Sequence, residues 1–173
     1  MTASILVAYA TRYGSTEEVA AAIATTLRER GLAVDLQPMH AVQTLGGYAA
    51  VVLGAPLYIG RWHKDAHHFL ALHSAALAAL PVAVFALGPL HPDAEEMQGS
   101  RAELDEELAK YAWLRPVAVA MFVGKYDPAK LHFLDSLLTR LPASPLYHLP
   151  PSDLRDWDAV HAWAADLKLP VAT

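Results

Sequence analysis

The chain has 173 residues, 54% of them apolar and 18% charged, with a formal net charge of −5 and no cysteine. That length supports one domain with a full core, and so apolar a composition excludes a disordered chain. An acidic balance without a Lys/Arg cluster excludes a nucleic-acid footprint, and the lack of cysteine excludes thiol nucleophiles, disulfides, iron–sulfur clusters and thiolate metal sites.

The first apolar run, Ser4 to Tyr9, predicts a strand, and "ATRYGSTEEVA" leads from it into a helix over Thr16 to Arg30 that Gly31 closes. A second strand follows at Ala33 to Gln37 and a third at Ala49 to Leu53. Asp65 to Ala79 predicts a helix ended before Pro81, and Val82 to Leu87 a fourth strand. Ser100 and Glu103 have capping-box spacing, which starts a helix running to Ala112 ahead of a fifth strand at Val117 to Val123. Two further helical stretches, Pro128 to Arg140 and Leu154 to Lys168, are joined by the proline-rich loop "LPASPLYHLPPSD". Runs such as "AAVVLG" and "VAVFALG" do not alternate, as strands covered on both faces should not. The expectation is a single α/β domain over 1–173: a doubly wound sheet of five parallel strands, order 2-1-3-4-5, with helices on both faces.

In such a sheet ligands bind beyond the carboxyl ends of the strands, where "ATRYGST", "GAPLYIGRWHK" and "LGPLHPD" meet. A loop running from a strand straight into a helix collects unpaired backbone N–H groups and the positive end of the helix dipole, which suits an anion. Thr11, Ser15 and Thr16 add hydroxyls, and Gly14 allows a tight turn and close approach. The plainer reading makes Ser15 or Thr16 a helix cap, with Glu17 and Glu18 placed for the dipole. The length of the loop favours a phosphate. The loop is neither a dinucleotide fingerprint nor a nucleoside-triphosphate loop, so one terminal phosphate without a metal is the better match.

The stretch "TRYGST" resembles the FMN-phosphate loop of flavodoxins, Thr/Ser-x-x-Gly-x-Thr. "GAPLYIGRWHKDAHHFL", "MFVGKYDPAKLHFLDSLL" and "RDWDAVHAWAADL" are similar to segments of the flavodoxin-like branch that contains menaquinone-dependent protoporphyrinogen IX dehydrogenase. That resemblance implies FMN held at its phosphate by Thr11, Arg12, Tyr13, Gly14, Ser15 and Thr16. Pro56, Leu57, Tyr58, Ile59 and Gly60 would flank one side of the isoalloxazine, and Leu87, Gly88, Pro89 and Leu90 its other edge. Tyr58 is the first candidate for stacking on the ring, and Trp62 the second unless it packs in the core. The implied activity is FMN-dependent oxidoreduction of a small molecule, a porphyrinogen or a quinone. Electron carriage to a redox partner protein is the alternative. A segment shorter and more acidic than in those dehydrogenases, Pro92 to Lys110, departs from the pattern where porphyrin carboxylates would be met.

His63 and His67 stand four apart, a metal-ligand spacing, but nothing nearby completes a shell and no metal is expected. His63 could instead serve proton transfer beside the ring. Arg61, His63 and Lys64 would stabilise a reduced, anionic flavin and favour two-electron exchange. "DAEEMQGSRAELDEELAK" reads as a solvated acidic face. A flavin-free regulatory module on the same fold would need acidic residues at Tyr9 and Ala10 and an aspartate near Gly54, and has neither. No apolar run reaches the roughly 18 residues of a membrane span and no leader pattern opens the chain, so a cytoplasmic protein with at most peripheral membrane contact is expected. The sequence is silent on oligomeric state.

Overall fold

A computed structural model describes residues 4–144 and 146–170. The element order begins β1 (Ser4–Tyr9), α1 (Ser15–Glu29), β2 (Val34–Pro38), β3 (Tyr48–Tyr58) and β4 (Arg61–Trp62). It continues with α2 (Lys64–Leu72), α3 (Ser74–Ala79), β5 (Val82–Leu87), α4 (Ala94–Ala109) and β6 (Ala118–Phe122). The remainder is β7 (Lys125–Tyr126), α5 (Phe133–Leu138), β8 (Ser152–Asp153) and α6 (Trp157–Asp166). The main sheet runs β2-β1-β3-β5-β6, all parallel, with β4 turned back on β3. This is the expected five-strand order, to which the β4 hairpin adds an edge piece.

The sheet divides the core in two because successive strand residues face opposite ways. Ile5, Val7 and Tyr9 pack with Ile23 and Leu27 of α1 and Val160 of α6. Leu6 and Ala8 pack with Phe69 and Leu70 of α2 and Leu104 of α4. Both faces of β1 are therefore apolar, which is why its sequence does not alternate.

Four local expectations change. The third strand continues to Tyr58, because Pro56 still pairs with Leu87 of β5 while its carbonyl accepts the His63 N–H at 3.1 Å. The helix expected over Asp65 to Ala79 breaks at His73, which is buried and packs its ring 4.7 Å from that of Phe69. α4 starts at Ala94, not Ser100, because Asp93 caps it, its Oδ1 accepting the Glu96 N–H at 2.9 Å. Pro128 to Arg140 reduces to a 3-10 turn plus the six residues of α5, and the proline-rich connection carries β8, which pairs antiparallel with β7.

Candidate functional site

The loop after β1 folds on itself before entering α1. Gly14 stands at the helix N-cap with φ 92°, donates its N–H to Thr11 Oγ1 at 2.8 Å, and accepts the Glu18 N–H at 3.2 Å. No side chain caps α1, so neither Ser15 nor Thr16 plays the simple capping role. The first-turn amides of Ser15, Thr16 and Glu17 are left without intrahelical partners, as at any helix start. Thr16 is 0% exposed and its Oγ1 has no hydrogen-bond partner among the described residues. A buried hydroxyl beside free amides and a positive dipole end fits an anion that brings its own acceptors. Behind the loop lies the Arg155 guanidinium, 2.7 Å from Glu18 and from Asp153, with Nη1 donating to the Ser15 carbonyl at 3.4 Å.

The second loop is a two-residue hairpin. Tyr58 pairs with Arg61 and Leu57 with Trp62, leaving Ile59 (φ 49°) and Gly60 (φ 68°) as the turn. Two consecutive positive φ values match the twist of a tight hairpin. Glycine adopts that conformation freely, whereas a β-branched isoleucine does so under strain. The Tyr58 hydroxyl is pushed up to about 12, first by burial and then by the Asp135 charge.

Asp135 of α5 is the group that gathers the two loops. Arg12 Nε donates to Asp135 Oδ2 at 2.8 Å, the Tyr13 hydroxyl donates to the same oxygen, and the Arg12 guanidinium carbon lies 4.9 Å from the centre of the Tyr58 ring. Burial opposes ionisation of Asp135, but the hydrogen bonds from Tyr13 and Arg12 prevail and hold its carboxyl below the usual range. The third loop is fixed from two sides. Gly124 donates to the Pro89 carbonyl at 2.7 Å, and Leu90 donates to Glu96 Oε1 at 2.6 Å.

These loops enclose one cleft. Of the anticipated residues, Arg12, Tyr13, Ser15 and Thr16 line it from the first loop, Pro56 to Ile59 from the second, and Leu87, Gly88 and Leu90 from the third. Thr11, Gly14, Gly60 and Pro89 are outside the lining: Thr11 and Gly14 shape the first loop, Gly60 completes the hairpin turn, and the Pro89 carbonyl accepts the Gly124 N–H. Trp62 turns away from it: its indole N–H donates to the Ala55 carbonyl at 3.1 Å and it is 3% exposed, so it is a core residue. His63 is likewise outside the cleft. Its Nδ1 accepts the Asp65 N–H at 3.1 Å to cap α2, and burial pushes its imidazole down.

Reading along the chain misses the far wall: Tyr126, Lys130, Leu131 and Leu146, together with Glu96. The signal available was the long segment after the fifth strand, which had to fold back over the strand ends. Arg61 and Lys64 are exposed and outside the lining. The charges that do line the cleft are Arg12, Lys125 and Lys130 against Glu18, Glu96 and Asp127, so the expected positive surround becomes a mixed one. His67 is bound to Glu107 and Tyr111. His91, Asp93 and Glu96 place ligand atoms within 4.8 Å of one another, but Asp93 already caps α4 and Glu96 already holds Leu90.

A doubly wound sheet with an uncapped helix start and a cleft across three strand-end loops is the arrangement found in nucleotide- and flavin-binding proteins. The flavodoxin domain model matches residues 6–145, and the chain belongs to that family. Protoporphyrinogen IX dehydrogenase [quinone] of Escherichia coli strain K12 is 23% identical over 138 residues, 79% of this chain and 76% of that protein. Oxidised flavodoxin 2 from Bacillus cereus superposes with a TM-score of 0.52 and 28% identity, over 69% of this chain and 84% of that one. Flavodoxin 1 from the same organism gives 0.56 and 18%, over 94% and 95%, a likeness of fold.

Proposed function

We propose that the chain is an FMN-dependent oxidoreductase that exchanges electron pairs with a small organic substrate, a porphyrinogen or a quinone. The observation that carries the FMN assignment is Thr16, fully buried at an uncapped helix start with an unpartnered hydroxyl. One phosphate would fill that place, and the described residues form a single doubly wound sheet, hence one nucleotide-binding crevice. When bound, FMN supplies the redox chemistry, accepting or donating electrons at its ring.

The chain's own residues divide the remaining work. The first-turn amides and Thr16 bind the phosphate. Tyr58, a neutral phenol at ordinary pH, offers an aromatic wall. Leu57, Leu87 and Leu90 exclude water from the ring's place, since apolar walls leave it few partners. The mixed charge of the far wall, Lys125 and Lys130 beside Asp127, suits a substrate with both apolar and anionic parts. The likeness to the Escherichia coli dehydrogenase supports the substrate class.

The test is Thr16→Val. Valine matches threonine in shape and removes a buried, unpaired hydroxyl, so the flavin-free protein should be at least as stable as wild type. Its FMN dissociation constant should rise about tenfold, the equivalent of one charge-assisted hydrogen bond. Unchanged FMN affinity in a stable Thr16→Val protein refutes the phosphate site. Porphyrinogen and quinones tested with the FMN-loaded protein under controlled oxygen then decide the substrate.

A further inference from the structure

The acidic helix α4 reads from sequence as a solvated face, yet Glu107 is only 7% exposed. Its Oε2 accepts the backbone N–H of Trp62 at 3.3 Å and lies 2.6 Å from His67 Nε2, while its Oε1 pairs with the Lys110 ammonium. One turn earlier Glu103 lies over the hairpin: a side chain at Gly60 would begin 3.5 Å from its Oε1. Arg61 closes the Ile59–Gly60 turn by pairing with Tyr58, the next amide, that of Trp62, is the one Glu107 accepts, and Trp62 is locked below by its indole bond to Ala55. Ile59 holds its left-handed conformation while 67% exposed, so its own side chain does little to keep it there. Strained backbone of this kind persists where its surroundings over-determine it, and such places are commonly functional.

We propose that Glu107 is the positioning residue of the Ile59–Gly60 turn, and that through this turn it sets how tightly the flavin is held and at what potential it works. The second half rests on the FMN reading above. Glu107 lies outside the cleft lining. It acts by fixing the strand end from which Tyr58 and Ile59 reach the cleft. Burying a carboxylate among α2, α4 and β4 is costly compared with an apolar side chain of the same volume, so simple packing glue would not call for one. A carboxylate can accept from Trp62, His67 and Lys110 together, and thus ties the turn to both helices at once.

The experiment compares Glu107→Ala with Glu107→Gln. Three quantities are measured: residue-resolved amide exchange in flavin-free protein, the FMN dissociation constant, and both one-electron midpoint potentials. In Glu107→Ala, exchange should quicken over 57–62 and not across α2 and α4. FMN should bind about tenfold to a hundredfold more weakly, as small misplacements at a site can cost that much, and the potentials should move. Glutamine keeps an acceptor for the Trp62 N–H, and its exchange pattern and affinity should return to within about threefold of wild type. Glu107→Met keeps volume without an acceptor and stands in should the alanine variant not fold. Lower thermal stability with wild-type exchange at 57–62, affinity and potentials would overturn the proposal and leave Glu107 as packing alone. Wild-type protein without affinity for FMN brings down the flavin reading by itself; exchange at 57–62 then decides whether Glu107 holds the turn.

Discussion

At the scale of single residues, the site is set by conformations that its side chains do not favour. Ile59 is the clearest, a β-branched residue at φ 49° with most of its surface in solvent. The left-handed region costs such a residue about 1–2 kcal/mol, and little burial offsets it here. Ile59→Asn should therefore raise the unfolding free energy by about 1 kcal/mol, since asparagine tolerates that region, and a urea titration reads the change. Gly14, at φ 92°, has open space where a Cβ would stand, so what it contributes is backbone freedom and not clearance. Sequence singles out Gly14 and Thr16 as candidates because a turn glycine and a helix-start hydroxyl have local signatures. It could not identify Asp135, which meets Arg12 across 123 residues of chain through tertiary folding alone.

Elements tell the same story at greater length. Strands buried on both faces announce themselves as unbroken apolar runs, which is why their order was legible. The hairpin of β3 and β4 reads in sequence as loop because Pro56 and Gly60 mask the continuing strand. Helix α4 begins earlier than its sequence suggests for a related reason: Ser100 and Glu103 imitate a start that Asp93 has already made, and the surrounding acids hide the inward turn of Glu107. Where β3 crosses Phe85 the packing leaves no room. A Cβ on Gly54 would lie 1.8 Å from Phe85 Cζ, and that ring is boxed in by Phe122 and Trp163 at centroid distances of 6.2 and 6.1 Å. Gly54→Ala should cost about 1–3 kcal/mol of stability through overpacking, read by its denaturant midpoint, because Phe85 has nowhere to move.

For the whole molecule, acid is the informative stress. The carboxyls of Asp135 and Glu107 are both held below their ordinary values of 3.8 and 4.5; burial opposes this, and bonds from Tyr13 and Arg12, and from Lys110, His67 and the Trp62 N–H, overcome it. A depressed folded-state value means stability that is present above the unfolded value and lost as pH falls through the folded one. Below about pH 4 the attachments of α5 and of the hairpin should weaken together while the apolar sheet holds. Tyrosine near-ultraviolet dichroism should then fall before the far-ultraviolet signal does. Asp135→Asn should start from lower stability at neutral pH and lose less of it on acidification. The described residues contain no helix long and apolar enough to cross a membrane.

The bond between Arg12 and Asp135 also bears on kinetics. Arg12 is the one cation among Thr11 to Thr16, and a carboxylate has already claimed it. With Lys125 and Lys130 of the cleft offset by Glu18, Glu96 and Asp127, the phosphate of the proposed FMN would meet little net attraction at a distance, and its capture should depend weakly on ionic strength, unlike that of ligands steered by an open cationic rim. Short-range donors, the first-turn amides and a buried hydroxyl, are felt after arrival. Affinity at such a site is expressed in slow departure.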